Sequence, residues 1–257
     1  MSCLILGEVY HGTLTHNYAD VAQPPANYST FAFWSLLSTH FVNNANIFKN
    51  ALQAWELSMQ DEADVDTSSF NMMEKTIKHY LRANITADMI SGKAKEITQD
   101  FIHLDIIQMT AIDYLSECLD KGIYCVLTTG SYLDGLYGFV AALKEANKLP
   151  ASPFLLLNGA EVSWKERKLL QANVGKFKAQ KLTQTLHKKN LIPYTIAAAF
   201  GDDPYVNDNI ILKQARKNCA FVIKSKKNIA GDFPTEYIHL DWNEFVREHK
   251  ARILETS

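Results

Sequence analysis

The stretch Tyr194-Thr195-Ile196-Ala197-Ala198-Ala199-Phe200-Gly201-Asp202-Asp203-Pro204-Tyr205-Val206-Asn207-Asp208 decides the fold class. Its first half is apolar without polar alternation, the mark of a strand covered on both faces. Its second half breaks into Gly, Pro and acidic residues, the chemistry of a turn leaving a strand end. Tyr124-Cys125-Val126-Leu127-Thr128-Thr129-Gly130 has the same design, an apolar run ending in small polar residues. Around these two runs, helix and strand patterns alternate. Ile107–Leu119 reads as an amphipathic helix with Gly122 after its end, Leu133–Ala146 as helix and Phe154–Leu157 as strand. Lys176–Lys189 and Asn209–Lys217 read as helices, Cys219–Ile223 as strand, and Trp242–Ile253 as a helix after Tyr237-Ile238-His239-Leu240-Asp241. Non-alternating strands separated by single helices predict an α/β class with a parallel sheet between two helical layers.

Towards the N-terminus the chain opens with an apolar strand over Cys3–Val9 and a turn-like segment, His11-Gly12-Thr13-Leu14-Thr15-His16-Asn17. From about Asn27 to Phe101 the pattern is helical. Phe33, Leu37 and Phe41 share one face; Phe48, Leu52, Trp55 and Met59 share another. Met73, Ile77 and Leu81 mark a third, and Met89, Ala94, Ile97 and Phe101 a fourth. Asp61–Asp66 reads as an acidic connector. A strand, a helical insertion and an α/β run describe one core of residues 1–16 and 108–257, interrupted by a helical cap at 17–107. The insertion leaves the C-terminal end of the first strand, the edge where open α/β sheets hold their ligand crevice, and a lid grown there closes over a site.

Composition excludes several classes. Apolar residues make up 47% and charged residues 21% of 257, with seven prolines and eleven glycines, so a large packed core is expected and disorder is not. A net charge of −2 gives no general attraction to nucleic acid or anionic membranes. No apolar run reaches the roughly 20 residues of a membrane span, and the first residues lack a basic region and a cleavage site, so no signal peptide is expected. Cys3, Cys118, Cys125 and Cys219 stand far apart without a CxxC pair, as expected of reduced thiols in a cytoplasm-like compartment. Lys165-Glu166-Arg167-Lys168 reads as a solvated face, and His40, His79 and His103 as helix-surface or cap residues. His11 and His16 carry no HxH or HExxH spacing for a transition metal.

Four segments converge on the C-terminal edge of the predicted sheet: Val9–Thr15, Thr129-Gly130-Ser131, Lys178 at a helix start, and Gly201–Asp208. Each residue type has a use in phosphoryl chemistry. A strand-ending hydroxyl and the following N–H groups, backed by a helix N-terminus, hold a phosphate oxygen. A lysine neutralises charge, and carboxylates hold Mg²⁺, a hard cation that prefers oxygen ligands. Each also has a structural use: Thr129 as a helix cap, Lys178 as a solvated helix residue, Asp202 and Asp203 as a turn, and Asp208 as an N-cap.

In order and character these segments resemble the haloacid-dehalogenase superfamily, in particular its phosphoserine-phosphatase-like branch with a helical cap, over nearly the whole chain. The resemblance implies a three-layer, Rossmann-like core. It implies that Thr129 and Gly130 bind phosphate, that Lys178 is the motif III lysine, and that Asp202 with Asp203 or Asp208 forms the acidic pair for Mg²⁺. Phe154–Val162 would be the hairpin that follows the third strand. The first motif departs from the pattern. Gly12-Thr13-Leu14-Thr15 is intact, but the nucleophilic aspartate's place falls on Val9 and the acid/base aspartate's place on His11. Valine forms no aspartyl-phosphate. His11 can shuttle a proton, and Glu8 would reach the site only through a local bulge, because a one-residue slip points it to the other face. The expectation is therefore a haloacid-dehalogenase-like hydrolase of phosphatase type, with weakened or altered catalysis by Glu8, His11 and Lys178, acting on or binding a small phosphorylated molecule. The alternatives are a pseudophosphatase that binds without turnover, and a protein-interaction module.

Overall fold

The computed structural model describes residues 2–6, 13–16, 41–44, 46–47, 50, 65–205, 208–224 and 234–256. Glu8, Val9, His11, Gly12 and His40 lie outside them, as do the faces of Phe33 and Leu37 and of Phe48, Leu52, Trp55 and Met59. The strands are β1 (Ser2–Leu6), β2 (Tyr124–Tyr132), β3 (Leu155–Ser163), β4 (Lys168–Gln171), β5 (Thr195–Gly201), β6 (Ala220–Ile223) and β7 (Ile238–Leu240). The longer helices are α1 (Val65–Lys75), α2 (Ala87–His103), α3 (Met109–Asp120), α4 (Leu133–Glu145) and α5 (Lys176–Lys188). Three short ones follow: α6 (Asn209–Leu212), α7 (Trp242–Glu248) and α8 (Lys250–Thr256).

The seven strands form one sheet in the order β4-β3-β2-β1-β5-β6-β7, parallel except for the β3–β4 pair. The first strand in sequence lies in the middle, with β2 on one side and β5 on the other. That is the order of a doubly wound α/β fold, and the direction of winding reverses between β1 and β5. The predicted three-layer α/β/α, Rossmann-like class is what the chain adopts.

Each face of the sheet buries its own set of apolar side chains. Cys125, Leu127, Phe200 and Phe221 pack against α3, α4, α7 and α8. Tyr114, Phe200, Phe221, Trp242 and Phe245 form a continuous aromatic group there, with Phe200 stacked on Trp242 at 4.8 Å between ring centres. On the other face Val126, Leu156, Ala199 and Val222 meet Leu182, Leu186, Ile211 and Leu212 of α5 and α6. Strands buried on both faces cannot alternate, which is why their sequence reads as unbroken apolar runs.

The helix starts follow their capping chemistry. Thr86 caps α2 by accepting from the Met89 N–H, and Asp241 with Glu244 forms a reciprocal capping box on α7. Ile90, Ala94 and Phe101 are buried on α2, whereas Met89 is 40% exposed. The predicted face was thus displaced by one residue at its start, because capping at Thr86 sets the helix phase. The helix α2 lies directly on α4. A Cβ on Gly138 would fall 2.1 Å from the Ser91 carbonyl oxygen, so only glycine lets the two backbones meet there.

Other expectations change in detail. Phe154–Val162 is not itself a hairpin: β3 runs on to Ser163, and β4 supplies the returning strand. Within Asn209–Lys217 only Asn209–Leu212 is helical, because Ala215 bridges to Ile196 and the Arg216 N–H donates to the Ile196 carbonyl instead. The Trp242–Ile253 helix is two helices meeting at His249, whose ring packs on Phe221. The helix α1 begins inside the expected acidic connector.

Lys165, Glu166 and Lys168 are exposed, as expected, but Arg167 is not part of a solvated face. At the tip of the β3–β4 hairpin, its guanidinium donates to the Ile77 carbonyl at 3.3 Å and the Leu81 carbonyl at 2.6 Å. The same hairpin buries Trp164, Leu169 and Ala160 against Met73, Ile77, Leu81 and Ile90. Long-range contact, invisible to local pattern, recruits the arginine.

Candidate functional site

The last register pairs of β1 join Leu6 to Leu127 on one side and to Phe200 on the other. The residues that follow those partners, Thr128–Ser131 and Gly201–Asp203, therefore flank the C-terminal end of β1. With neighbouring strands about 4.8 Å apart, the two groups stand about 10 Å from each other. The site is built where a doubly wound sheet opens its crevice.

On the β2 side the chain bulges. Thr128 pairs with Asn158 and Tyr132 with Ala160, so three intervening residues on β2 oppose one on β3. Thr129, Gly130 and Ser131 form this loop-out. Inside it the Thr129 hydroxyl accepts from the Ser131 N–H at 3.2 Å. Thr129 is fully buried and Gly130 half-buried. Ser131 is buried, and its hydroxyl makes no hydrogen bond among the described residues. Gly159, on β3 beside the bulge, admits no side chain, since a Cβ would stand 2.7 Å from the backbone of Leu133 at the start of α4. Burial holds the phenol of Tyr132 far above its usual range, so it stays a neutral hydroxyl, packed edge-on to Trp164.

On the β5 side stands a buried ion pair. Lys178 donates from Nζ to Asp208 Oδ1 at 2.8 Å, and both side chains are fully enclosed. Asp208 Oδ2 also accepts from the Asp202 N–H at 3.1 Å and the Asp203 N–H at 3.4 Å. Gly201 makes room for this carboxylate: a Cβ there would lie 2.5 Å from Asp208 Oδ2. The helix default for Lys178, a solvated ammonium, is reversed because α5 packs its first turn onto the sheet edge.

One residue that sequence pattern did not single out joins the two sides. Asn173 is fully buried, and its Nδ2 donates to the Thr128 hydroxyl at 2.9 Å and the Thr129 carbonyl at 2.7 Å. Five residues on, Lys178 grips Asp208. Between them Gly175 starts α5 at φ 47°, a left-handed conformation that glycine adopts without strain. The segment 173–178 thus ties the end of β2 to the end of β5. The only local signal was the Asn-x-Gly turn chemistry before the helix.

The surviving part of the first segment is pinned to the sheet edge as well. The Leu14 carbonyl accepts from the Gln108 N–H, the Gln108 side chain donates to the Thr15 carbonyl, and Trp242 Nε1 donates to the Thr13 carbonyl at 2.7 Å. The hydroxyls of Thr13 and Thr15 are buried without a hydrogen bond among the described residues. His16 is half-buried, while His79 and His103 are exposed. The structure therefore brings Thr129, Gly130, Lys178, Asp202, Asp203 and Asp208 to one edge; Glu8 and His11 lie outside the described residues.

A divalent cation fits this donor set poorly. Both Asp208 oxygens already accept hydrogen bonds, from an ammonium and from two backbone N–H groups. Among the described residues no three His, Cys, Asp or Glu side chains converge to hold a metal ion. Position 9, where the resemblance drawn from the sequence would place a carboxylate, is valine. Of the other carboxylates at this edge, Asp202 is buried, and Asp203, half-buried, accepts from the Tyr205 N–H at 3.1 Å. What the edge offers on its own is a buried ammonium, a bulged run of small polar residues and a helix start, a set suited to an anionic oxygen ligand.

No protein-family model matches the chain. No curated protein matches it in sequence. Solved structures do match in shape. A protein of unknown function from Bordetella pertussis Tohama I is 13% identical, with 94% of this chain and 99% of that one covered, at a TM-score of 0.57. A cytosolic 5'-nucleotidase IIIB, solved bound to cytidine, is 11% identical, with 99% of this chain and 85% of that one covered, at a TM-score of 0.65. Across almost its full length, then, the chain shares the parallel-sheet, Rossmann-like α/β fold of that nucleotidase.

Proposed function

We propose that this chain is a haloacid-dehalogenase-like protein that binds a small phosphorylated molecule at the β1–β2–β5 edge, with phosphohydrolase chemistry weakened by the loss of the first-motif aspartates. The observation that carries this reading is the enclosed Lys178–Asp208 pair at the sheet's switch point. Burying two charges costs several kcal/mol per ion before their attraction is counted, and the pair stands at the edge where doubly wound sheets bind their ligands. In this reading Thr129, Gly130 and the N–H groups of the bulge hold phosphate oxygens, and Lys178 neutralises their charge. Asp202 and Asp203 carry whatever affinity for Mg²⁺ remains, with Asp208 holding the lysine. Residues 17–107 act as a cap over a core of 1–16 and 108–257. Three free, buried cysteines, Cys118, Cys125 and Cys219, support a reducing, cytoplasm-like compartment. Among the described residues no helix is long and apolar enough to cross a membrane.

Without a carboxylate at position 9 the two-step route through an aspartyl-phosphate is closed, and loss of a covalent nucleophile costs several powers of ten in rate. Direct attack by water remains, with His11 or Glu8 as the proton acceptor. The second reading, a pseudophosphatase that binds without turnover, is favoured by Val9 itself. Hydrolysis of a generic aryl phosphate separates the two, comparing the native chain with Val9→Asp and with the double variant Val9→Asp, His11→Asp. We expect slow native turnover, lost on Glu8→Gln or His11→Gln, and a rise of at least tenfold in the double variant. A native chain with no turnover, beside an active double variant, leaves the pseudophosphatase standing. If none of the variants turns over phosphate and none is stabilised by it, the phosphate reading falls altogether.

A further inference from the structure

We infer that Asn173 is a positioning residue of the phosphate site, holding the Thr129–Ser131 bulge in its ligand-ready shape and in register with Lys178. This rests on the phosphate-binding reading above and adds a residue that the family pattern does not include. Three observations carry it. The first is geometric: the two Nδ2 donations, 2.9 Å to the Thr128 hydroxyl and 2.7 Å to the Thr129 carbonyl, fall on the two residues where β2 leaves its regular pairing with β3. A bulge gives up ladder hydrogen bonds, so its conformation must be fixed from elsewhere. The Asn173 amide supplies that fixation.

The second is connectivity. Asn173 and Lys178 are separated by four residues, with Gly175 locked at positive φ and the Lys178 N–H bonded to the Gly175 carbonyl at 3.1 Å. Moving the amide therefore moves the helix start, and with it the ammonium that grips Asp208. The third is polarity. Asn173 is fully buried, yet its Oδ1 has no hydrogen bond among the described residues, as is also true of the Ser131 hydroxyl in the bulge. Enclosing an unsatisfied acceptor costs about 1–3 kcal/mol, a cost incurred here by the side chain whose Nδ2 makes the two donations to the bulge.

The test is binding, measured with inorganic phosphate and with cytidine 5'-monophosphate by titration calorimetry, well below the melting temperature. Variants are Asn173→Asp, isosteric but without the two N–H donors, and Thr128→Val, which removes one of the two acceptors. We expect affinity for both probes to fall by about tenfold in Asn173→Asp and by less in Thr128→Val, since each lost hydrogen bond is worth about 0.5–1.5 kcal/mol. In the Asn173→Asp background, Thr128→Val should have no further effect. A merely structural role lowers the melting temperature and leaves the affinity of the folded protein unchanged, and that result overturns the inference. Should Asn173→Asp fail to fold, Thr128→Val alone decides: unchanged affinity refutes the positioning role. Native protein that binds neither probe overturns the phosphate reading and this inference with it, whereas native binding with unaffected variants overturns this inference only.

Discussion

Replacing Lys178 by methionine isolates the energetics of the site's central feature. Methionine keeps most of the side-chain volume and removes the ammonium, leaving Asp208 as a fully enclosed carboxylate without its 2.8 Å donor. Removing one member of a buried pair costs about 3–5 kcal/mol. Two backbone N–H groups still donate to Asp208, from Asp202 and Asp203, which sets the expected loss near the lower bound. For a domain of this size each kcal/mol moves the melting temperature by about 2–4 °C, so a drop of about 6–12 °C is expected. The double variant Lys178→Met, Asp208→Asn removes both charges while the asparagine oxygen still accepts from the two N–H groups. It should therefore recover at least half of the loss. Urea unfolding followed by tryptophan fluorescence gives both numbers, and non-additivity is the quantity of interest. A single variant less than about 1 kcal/mol below native, or a double variant no better than the single one, would show that the two charges do not compensate each other as the geometry implies.

Two further outcomes follow from other contacts. Arg167→Ala removes the guanidinium from the Ile77 and Leu81 carbonyls, so amide exchange at Leu81 and Arg82 should accelerate roughly tenfold, with Arg167→Lys giving only partial recovery because it lacks the planar fork; unchanged exchange would refute the latch. His239 is held below its usual 6.5 first by burial, with Lys224 adding to the effect and a hydrogen bond to Pro234 opposing it. The unfolded chain then takes up the proton first, so stability is full above about pH 6.5 and declines as pH falls below it; His239→Gln should flatten that decline in melting temperature, and an identical pH profile would refute the assignment.

Much of the fold was legible because its physics is local. Parallel strands buried on both faces must be apolar where both faces are covered, and Cys125–Leu127, Ile196–Phe200 and Ala220–Ile223 are. Helical periodicity is local too, so α4 and α5 fall within a residue of their predicted bounds, although neither has a side-chain cap at its start. The grouping of Thr129, Lys178 and Asp202–Asp208 at one edge was also readable, since each sits at a strand end or helix start, and parallel strands bring their C-termini to the same side.

What the chain's pattern could not convey are relations between segments far apart in sequence. Nothing local marks Lys178 as enclosed rather than solvated; that depends on Asp208, thirty residues on, and on Gly201 leaving room for its carboxylate. Asn173 looks like a turn residue until the bulge of β2 comes to lie against it. Arg167 looks like one charge in a solvated run until the β3–β4 hairpin meets the carbonyls of Ile77 and Leu81. Residue type and period are properties of the chain, and they determined the strands, the helices and the edge that holds the site. Hydrogen-bond partnership and burial are properties of the packed molecule, and only tertiary structure decided which polar side chains at that edge are bound to one another. The opening stretch, from Tyr194 to Asp208, shows both. Its apolar half had one reading from the start, whereas its acidic half took its meaning from a lysine on another helix.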